Sequence, residues 1–479
     1  MALSPIADDP RVRRQADAFH KAGWEVVAVG VPGGRSSAPD WPVLTRDDLP
    51  PPPPPEPIAD ADPQRIDVPR QAVAPTPDRL PLKSRLLTAY RDANRYVPIS
   101  AQNWSRLEAV LKIVWGRSEY FVRFGGAVVQ IAARQRFRAA SLRPRPFGAR
   151  LKPPPRVAEE AADQLFWKMS RDFNDIYTCA ETVDASIWLA NDWTMLPIAA
   201  RLASEKGGSY GYDSHEFATE EYAENLTWRL TQRPIVCAIE ERFVRGAAIV
   251  SAVSSGIAES LDRLYGLPRP SLVIRNMPAF EEAAFRPTAP DRIRVLYHGI
   301  VAPNRGLEAA IDSVAAWRPE FDLTIRGPGD AAFLDALRER IKERGLSGRA
   351  QLVPPVPMTA LVREATEFDI GFFALPGHSP HNQFALPNKF FEYAMAGLAL
   401  CTTELPEMAR LIRQYDLGVT FPGIDPATIA EQINALQPEQ IDQYKRNALA
   451  AARELCWDRE SERLVNAYSA VLVRAGGEG

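Results

Sequence analysis

The stretch RIRVLYHGIVAPNRGLEAAIDSVAAWRPEFDLTI, residues 292–325, decides the fold. Residues 292–297 read as a strand, 307–316 repeat their apolar side chains at helical spacing, and 321–325, with apolar Phe321, Leu323 and Ile325 alternating with polar residues, read as a second strand. Strands alternating with helices at this spacing predict a parallel sheet with helices on both faces. The rhythm extends downstream through a helix at 331–344, a strand at 350–353, a helix at 359–364, a strand at 368–373, a helix at 389–396 and a strand at 398–401. Upstream, strands are expected at 185–190, 209–212, 247–253 and 271–274, with helices starting at Leu196 and ending at Leu264. A helix at 11–22 leads into a strand at 24–30. Only Ala2, Leu3 and Ser4 are available for a strand before that helix, so the first strand is expected to be lacking or to lie upstream of Met1. The economical architecture is α/β: two Rossmann-like domains facing a cleft, with ligands at the carboxyl ends of the strands.

Composition agrees with two cores. The chain has 479 residues, is 46% hydrophobic and 24% charged, and carries a formal net charge of −3. Those values exclude a disulfide-stapled miniprotein and a mostly disordered chain. Cys179, Cys237, Cys401 and Cys456 show no CxxC or Cys/His spacing, so neither a metal site nor a disulfide framework is expected, and a reducing, cytoplasmic setting fits. The first residues lack the apolar core of a signal peptide, and no run reaches the ~18 apolar residues of a membrane span.

The charge is unevenly placed. Residues 50–81 hold twelve prolines, Pro50 to Pro55 consecutively, which predicts an extended linker. Residues 81–150 hold fourteen Lys/Arg against Asp92, Glu108 and Glu119, a local +11 that leaves −14 for the remainder. Trp104, Leu107, Val110, Leu111, Val114 and Trp115 recur there at helical spacing, which predicts a basic amphipathic helical insertion. Basic and aromatic residues together suit an anionic membrane surface, at the inner face of the cell membrane. The same helices equally suit capping the first domain while their arginines pair with the acidic remainder. No RNA-binding motif accompanies the charge, so no nucleic-acid partner is expected. The expected parts are an N-terminal domain at 1–49 and 157–284, the linker at 50–80, the insertion at 81–156, a second domain at 285–455 and a closing helix at 456–479.

Three segments carry chemistry. Tyr297 to Gly306 joins a strand to a helix, and its glycines, free helix N–H groups and Arg305 suit a diphosphate; an ordinary turn with a solvated arginine reads the same way. His298 lies in that loop. Arg326-Gly-Pro-Gly-Asp330 is a second glycine-rich strand end, or a plain turn. In Leu386-Pro-Asn-Lys-Phe-Phe-Glu-Tyr-Ala-Met-Ala-Gly397, Pro387 breaks the chain, Asn388 offers a cap, and Lys389 in the first turn opposes the helix dipole, so an anionic neighbour is called for. Glu392, one turn in, suits ribose hydroxyls or simply solvent.

These residues resemble the retaining, nucleotide-sugar-dependent glycosyltransferases of the large family 4 type (glycosyl transferases group 1), which have the two-domain GT-B fold. The resemblance also rests on Asp9-Pro-Arg-Val-Arg13, Ala190 to Pro197, Tyr212-Asp-Ser-His-Glu216, Val253-Ser-Ser-Gly-Ile257, Arg275-Asn276 and Trp457-Asp-Arg-Glu460. It implies that Gly299, Asn304, Arg305, Gly327, Asn388, Lys389 and Glu392 bind the donor, a UDP- or GDP-linked sugar, with no cofactor and no metal. Arg305 and Lys389 would hold the diphosphate, and Glu392 the ribose. His215 would contact the transferred sugar or the acceptor, and Asn191, Asp192 and Glu216 would line the acceptor side, making His215, Arg305 and Lys389 the catalytic set. Where the resemblance implies a glutamate eight positions before Glu392, this chain has Phe384. The implied activity is hexosyl transfer to a glycan or lipid-linked acceptor in surface polysaccharide or glycolipid assembly. The alternative, favoured by Phe384, is a non-catalytic subunit of the same fold that binds a partner enzyme or membrane.

Overall fold

The computed structural model describes residues 1–34, 36–49 and 159–476. The expected proline-rich linker at 50–80 and the basic insertion at 81–156 lie outside the described residues.

The N-terminal domain is built on a parallel sheet. Strands β1 (Ala28–Val29) and β2 (Val43–Leu44) pair with each other, and β3 (Ile187–Asn191), β4 (Ser209–Ser214), β5 (Ile249–Ala252) and β6 (Leu272–Val273) pair in that order. The chain start bridges the two groups. The Met1 ammonium donates to the Leu189 carbonyl (2.8 Å) and Asn191 N–H to Met1 O (3.0 Å), while Ala2 N–H donates to Val29 O (3.1 Å) and Val31 N–H to Ser4 O (3.2 Å). Four residues therefore fill the strand position expected to be lacking, because alternate backbone groups suffice to bond both neighbours. The strand expected at 24–30 is confined to Ala28–Val29, since Trp24 packs its ring on Phe19 (centroids 4.9 Å) and belongs to the helix side of the segment. The helix Pro10–Lys21 begins where its sequence says it should: Asp9 accepts from the Arg11 and Val12 N–H groups, and Pro10 needs no donor at the first position.

The second domain carries six parallel strands, β7 (Ile293–His298), β8 (Phe321–Arg326), β9 (Ala350–Val353), β10 (Ile370–Phe373), β11 (Ala399–Thr403) and β12 (Gly418–Phe421), in the order β12-β11-β10-β7-β8-β9. Every residue of β10 is buried, as expected of a central strand covered on both faces. The helix Asn388–Met395 packs against this sheet through Tyr393, whose ring lies where any side chain at Gly371 would stand. β12 and the helices Pro406–Tyr415, Pro426–Ala435 and Pro438–Ala452 continue the alternation past the last strand that the sequence pattern assigned.

The chain crosses between domains twice. After the segment at 274–278 it enters the second domain, and the Trp457 N–H then bonds the Pro278 carbonyl (2.7 Å) as the helix Trp457–Gly476 departs. That helix packs on the N-terminal domain: Tyr468 meets Phe19 edge-on at 5.4 Å and lies over β4 at Gly211, where a Cβ would collide with its ring.

Candidate active site between the two domains

The carboxyl ends of β7 and β8 converge through two glycines. Gly299 has φ 114°, and a Cβ on Gly327 would collide with the Gly299 carbonyl, so the two turns touch only because Gly327 lacks a side chain. A Cβ on Gly299 would stand 3.1 Å from the Lys389 amine. The lysine is buried against this turn, with Nζ 4.5 Å from the Tyr297 ring centroid, 4.3 Å from that of Phe373 and 3.4 Å from the Tyr297 hydroxyl. Aromatic faces and one hydroxyl replace water poorly. Burial, together with Arg305, pushes the Lys389 amine down to about 7.

Asn388 is the first residue of its helix and Pro387 takes the cap position, which corrects the expectation that Asn388 caps; no side chain caps this end. Pro387 and Asn388 at this helix start both line the cavity. Arg305 half-buries itself in the same cavity, after exposed Asn304 in a left-handed turn (φ 62°) and before Gly306 (φ 70°). One turn into the helix, Glu392 Oε2 lies 2.8 Å from His298 Nε2, and the His298 backbone N–H is fixed by the Tyr393 hydroxyl (2.9 Å). Burial works against the Glu392 charge, but His298, Arg14 and Lys389 outweigh it and hold the carboxyl below its usual range.

Across the cleft, His215 is held between two acids. Nδ1 lies 3.1 Å from Asp192 Oδ2, and Nε2 lies 3.0 Å from Asp213 Oδ2 and 3.1 Å from Asn191 Oδ1. Burial disfavours charge on the ring, but Asp192 and Asp213 prevail and push it up to about 10, so the group is an imidazolium at neutral pH. Asp213 in turn accepts both prongs of Arg11 (2.6 Å each), the Gln15 amide (2.7 Å) and the Ser251 hydroxyl (2.6 Å). Asn191 and Asp192 therefore stand behind His215, while His215 and Glu216 line the cavity with Arg305 and Asn388. Its volume is about 380 Å³. Among the described residues no group of three His, Cys, Asp or Glu is placed to hold a metal ion.

Residues 292–437 match the family model described as glycosyl transferases group 1. HepE of Anabaena, solved with UDP and glucose, superposes with a TM-score of 0.52 at 15% identity, over 64% of this chain and 83% of that one. Sucrose-phosphate synthase from Thermosynechococcus elongatus gives 0.54 at 14% identity, over 65% and 80%. The chain has the GT-B fold. A curated relative, D-inositol 3-phosphate glycosyltransferase of Jonesia denitrificans, is 24% identical over 261 residues, which is 49% of this chain. The match spans 60% of that relative's length.

Several residues of the GT-B cleft escaped the sequence reading. Arg14, one turn from Arg11, donates to Asn276 Oδ1 (2.7 Å) and supports the Glu392 charge. His381 lines the cavity and reaches Glu216 at 3.4 Å. Phe384 leaves the cavity wall altogether: its ring covers Gly256, where a Cβ would collide with it, and lies 6.3 Å from Phe217. The 3-residue spacing of Arg11 and Arg14 on one helix was the readable signal for a basic face; for His381 there was none.

Proposed function

We propose that this chain is a retaining glycosyltransferase that moves a sugar from a nucleotide-sugar donor, UDP- or GDP-linked, to a glycan or lipid-linked acceptor. The observation that carries this reading is Arg305 together with buried Lys389 beside an uncapped helix start, two cations of which neither forms a salt bridge with a carboxylate among the described residues. A diphosphate supplies the absent negative charge, and the two cations then stabilise the charge that develops on it as the sugar departs. Glu392, ionised by its neighbours, accepts from ribose hydroxyls. In front-side transfer the acceptor hydroxyl attacks on the face the nucleotide leaves, and a β-phosphate oxygen takes its proton. The fixed imidazolium of His215 acts by charge and hydrogen bonding and moves no proton.

Replacing Arg305 or Lys389 by Ala is expected to cut transfer by about 100-fold or more. Thermal shift with UDP, GDP and their sugars tests binding directly: unchanged stability with all of them, or unchanged turnover in both variants, removes the diphosphate site. The seat of Phe384 on Gly256 favours a second reading, a non-catalytic subunit that binds a partner enzyme or membrane, and release of labelled sugar from the donor separates the two. We further propose that residues 81–150, by their +11 charge and aromatic stripe, meet an anionic membrane surface from the cytoplasmic side. No helix among the described residues is long and apolar enough to cross a membrane. Flotation with phosphatidylglycerol vesicles at moderate salt should carry the full chain upward, and failure to float removes the membrane reading.

A further inference from the structure

The cavity has two ends with assigned chemistry, Arg305 on the donor wall and His215 on the acceptor wall, and whatever is transferred must occupy the space between them. Two side chains from opposite domains meet there. Glu216 follows His215 on the loop after β4, and His381 lies on the short helix Pro380–Gln383 of the donor domain; both line the cavity, and His381 Nε2 is 3.4 Å from Glu216 Oε2. The pair thus lines the same cavity as Arg305 and His215.

The other acids of the cavity wall are engaged by their own domain. Asp9 caps the helix Pro10–Lys21 and accepts from the Ser4 hydroxyl (2.8 Å), and Asp8 accepts from the Ser36 N–H (2.8 Å). Glu216 lines the cavity with half of its side chain exposed, and among the described residues its side-chain partner is His381. His381 itself keeps a buried Nδ1 with no hydrogen-bond partner. A sugar presents a ring of hydroxyl groups, each both a donor and an acceptor, so a carboxyl and an imidazole with open valences are the chemistry that reads it.

Resting on the nucleotide-sugar reading above, we propose that Glu216 and His381 form a cross-cleft pair that binds hydroxyl groups of the donor's sugar and sets which sugar is accepted. Glu216 takes hydrogen bonds from the sugar that Phe384, turned away onto Gly256, is chemically unable to take. Because one partner comes from each domain, the sugar subsite is complete only when the two domains stand as they do here.

Calorimetric titration separates sugar from nucleotide. UDP and UDP-glucose form one probe pair, GDP and GDP-mannose the other. In Glu216→Gln and in His381→Ala the affinity for the sugar nucleotide should fall about tenfold relative to the parent chain, while that for the matching nucleoside diphosphate stays within twofold. The double variant should lose little more than either single one, since the pair acts as a unit. Equal losses for the diphosphate and its sugar, or no loss for either, would overturn the pair's role while leaving the diphosphate site standing. If the parent chain binds none of the four probes, the nucleotide-sugar reading fails and the pair's role fails with it.

Discussion

At the scale of single residues, Lys389 links protonation to ligand binding. Its amine is pushed down to about 7, chiefly by burial and then by Arg305. Near pH 8 the free protein therefore holds it mostly neutral, and an incoming diphosphate, by favouring the ammonium, raises its pKa toward the ordinary value of 10.5. The sign is proton uptake on binding. Calorimetric enthalpies of UDP binding measured at pH 8 in buffers of different ionisation enthalpy should differ in the sense of a proton taken from buffer, and Lys389→Met should abolish the difference; buffer-independent enthalpies in the parent chain would contradict it. Lys389 stands out in the sequence because a lysine in a first helical turn opposes the helix dipole, whereas Arg305 beside turn glycines reads equally as an ordinary turn and Glu392 equally as a solvated acid. Arg11 was legible only as part of a resemblance, since its partner Asp213 lies 202 positions away. His381 carried no local oddity, and its opposite number belongs to the other domain.

The elements that position the site differ in how far local pattern specifies them. The strands β7, β8, β10 and β11 read well because mostly buried strands are rich in apolar residues, whereas β1 and the first four residues hold their places largely by backbone bonds that leave little mark on the side-chain pattern. The helix Ser255–Tyr265 shows a third case. Ser254 caps its Ile257 N–H, but the Gly256 N–H is taken by Glu407 of the other domain (2.6 Å), and Phe384 covers the same glycine. A helix start thus becomes a joint between domains, which no pattern within 255–265 announces. Gly256→Ala should drive its methyl into the Phe384 ring and cost about 1–3 kcal/mol by chemical denaturation. Pairing it with Phe384→Ala should cost less than the sum of the two single variants, because the second change removes the atoms the first one strikes. Strict additivity would place Phe384 elsewhere.

At the scale of the whole molecule, the order of elements along the chain conflicts with the order of cores. The helix Trp457–Gly476 follows the second domain yet completes the first, burying Trp457, Leu464 and Tyr468 with Phe19 and Ile274. Arg275 at the first crossing pairs with Glu460 at the second (3.0 Å), so the two passages between domains are tied to each other. One cluster of the N-terminal domain is therefore complete only once this helix has returned, whereas the second domain's cluster runs from Met277 to Cys456 and takes nothing from it beyond Cys456. Tyr468→Ala removes a fully buried ring over Gly211 and should cost the N-terminal domain about 3–5 kcal/mol. Scanning calorimetry should then resolve a single parent transition into two, the earlier one belonging to the N-terminal domain. The later one should keep its midpoint and its upward shift with UDP, because Arg305, Lys389 and Glu392 all sit on the second domain. A variant that still melts in one displaced transition would mean that the joint at Gly256 and Glu407, and not the returning helix, holds the two halves in one cooperative unit.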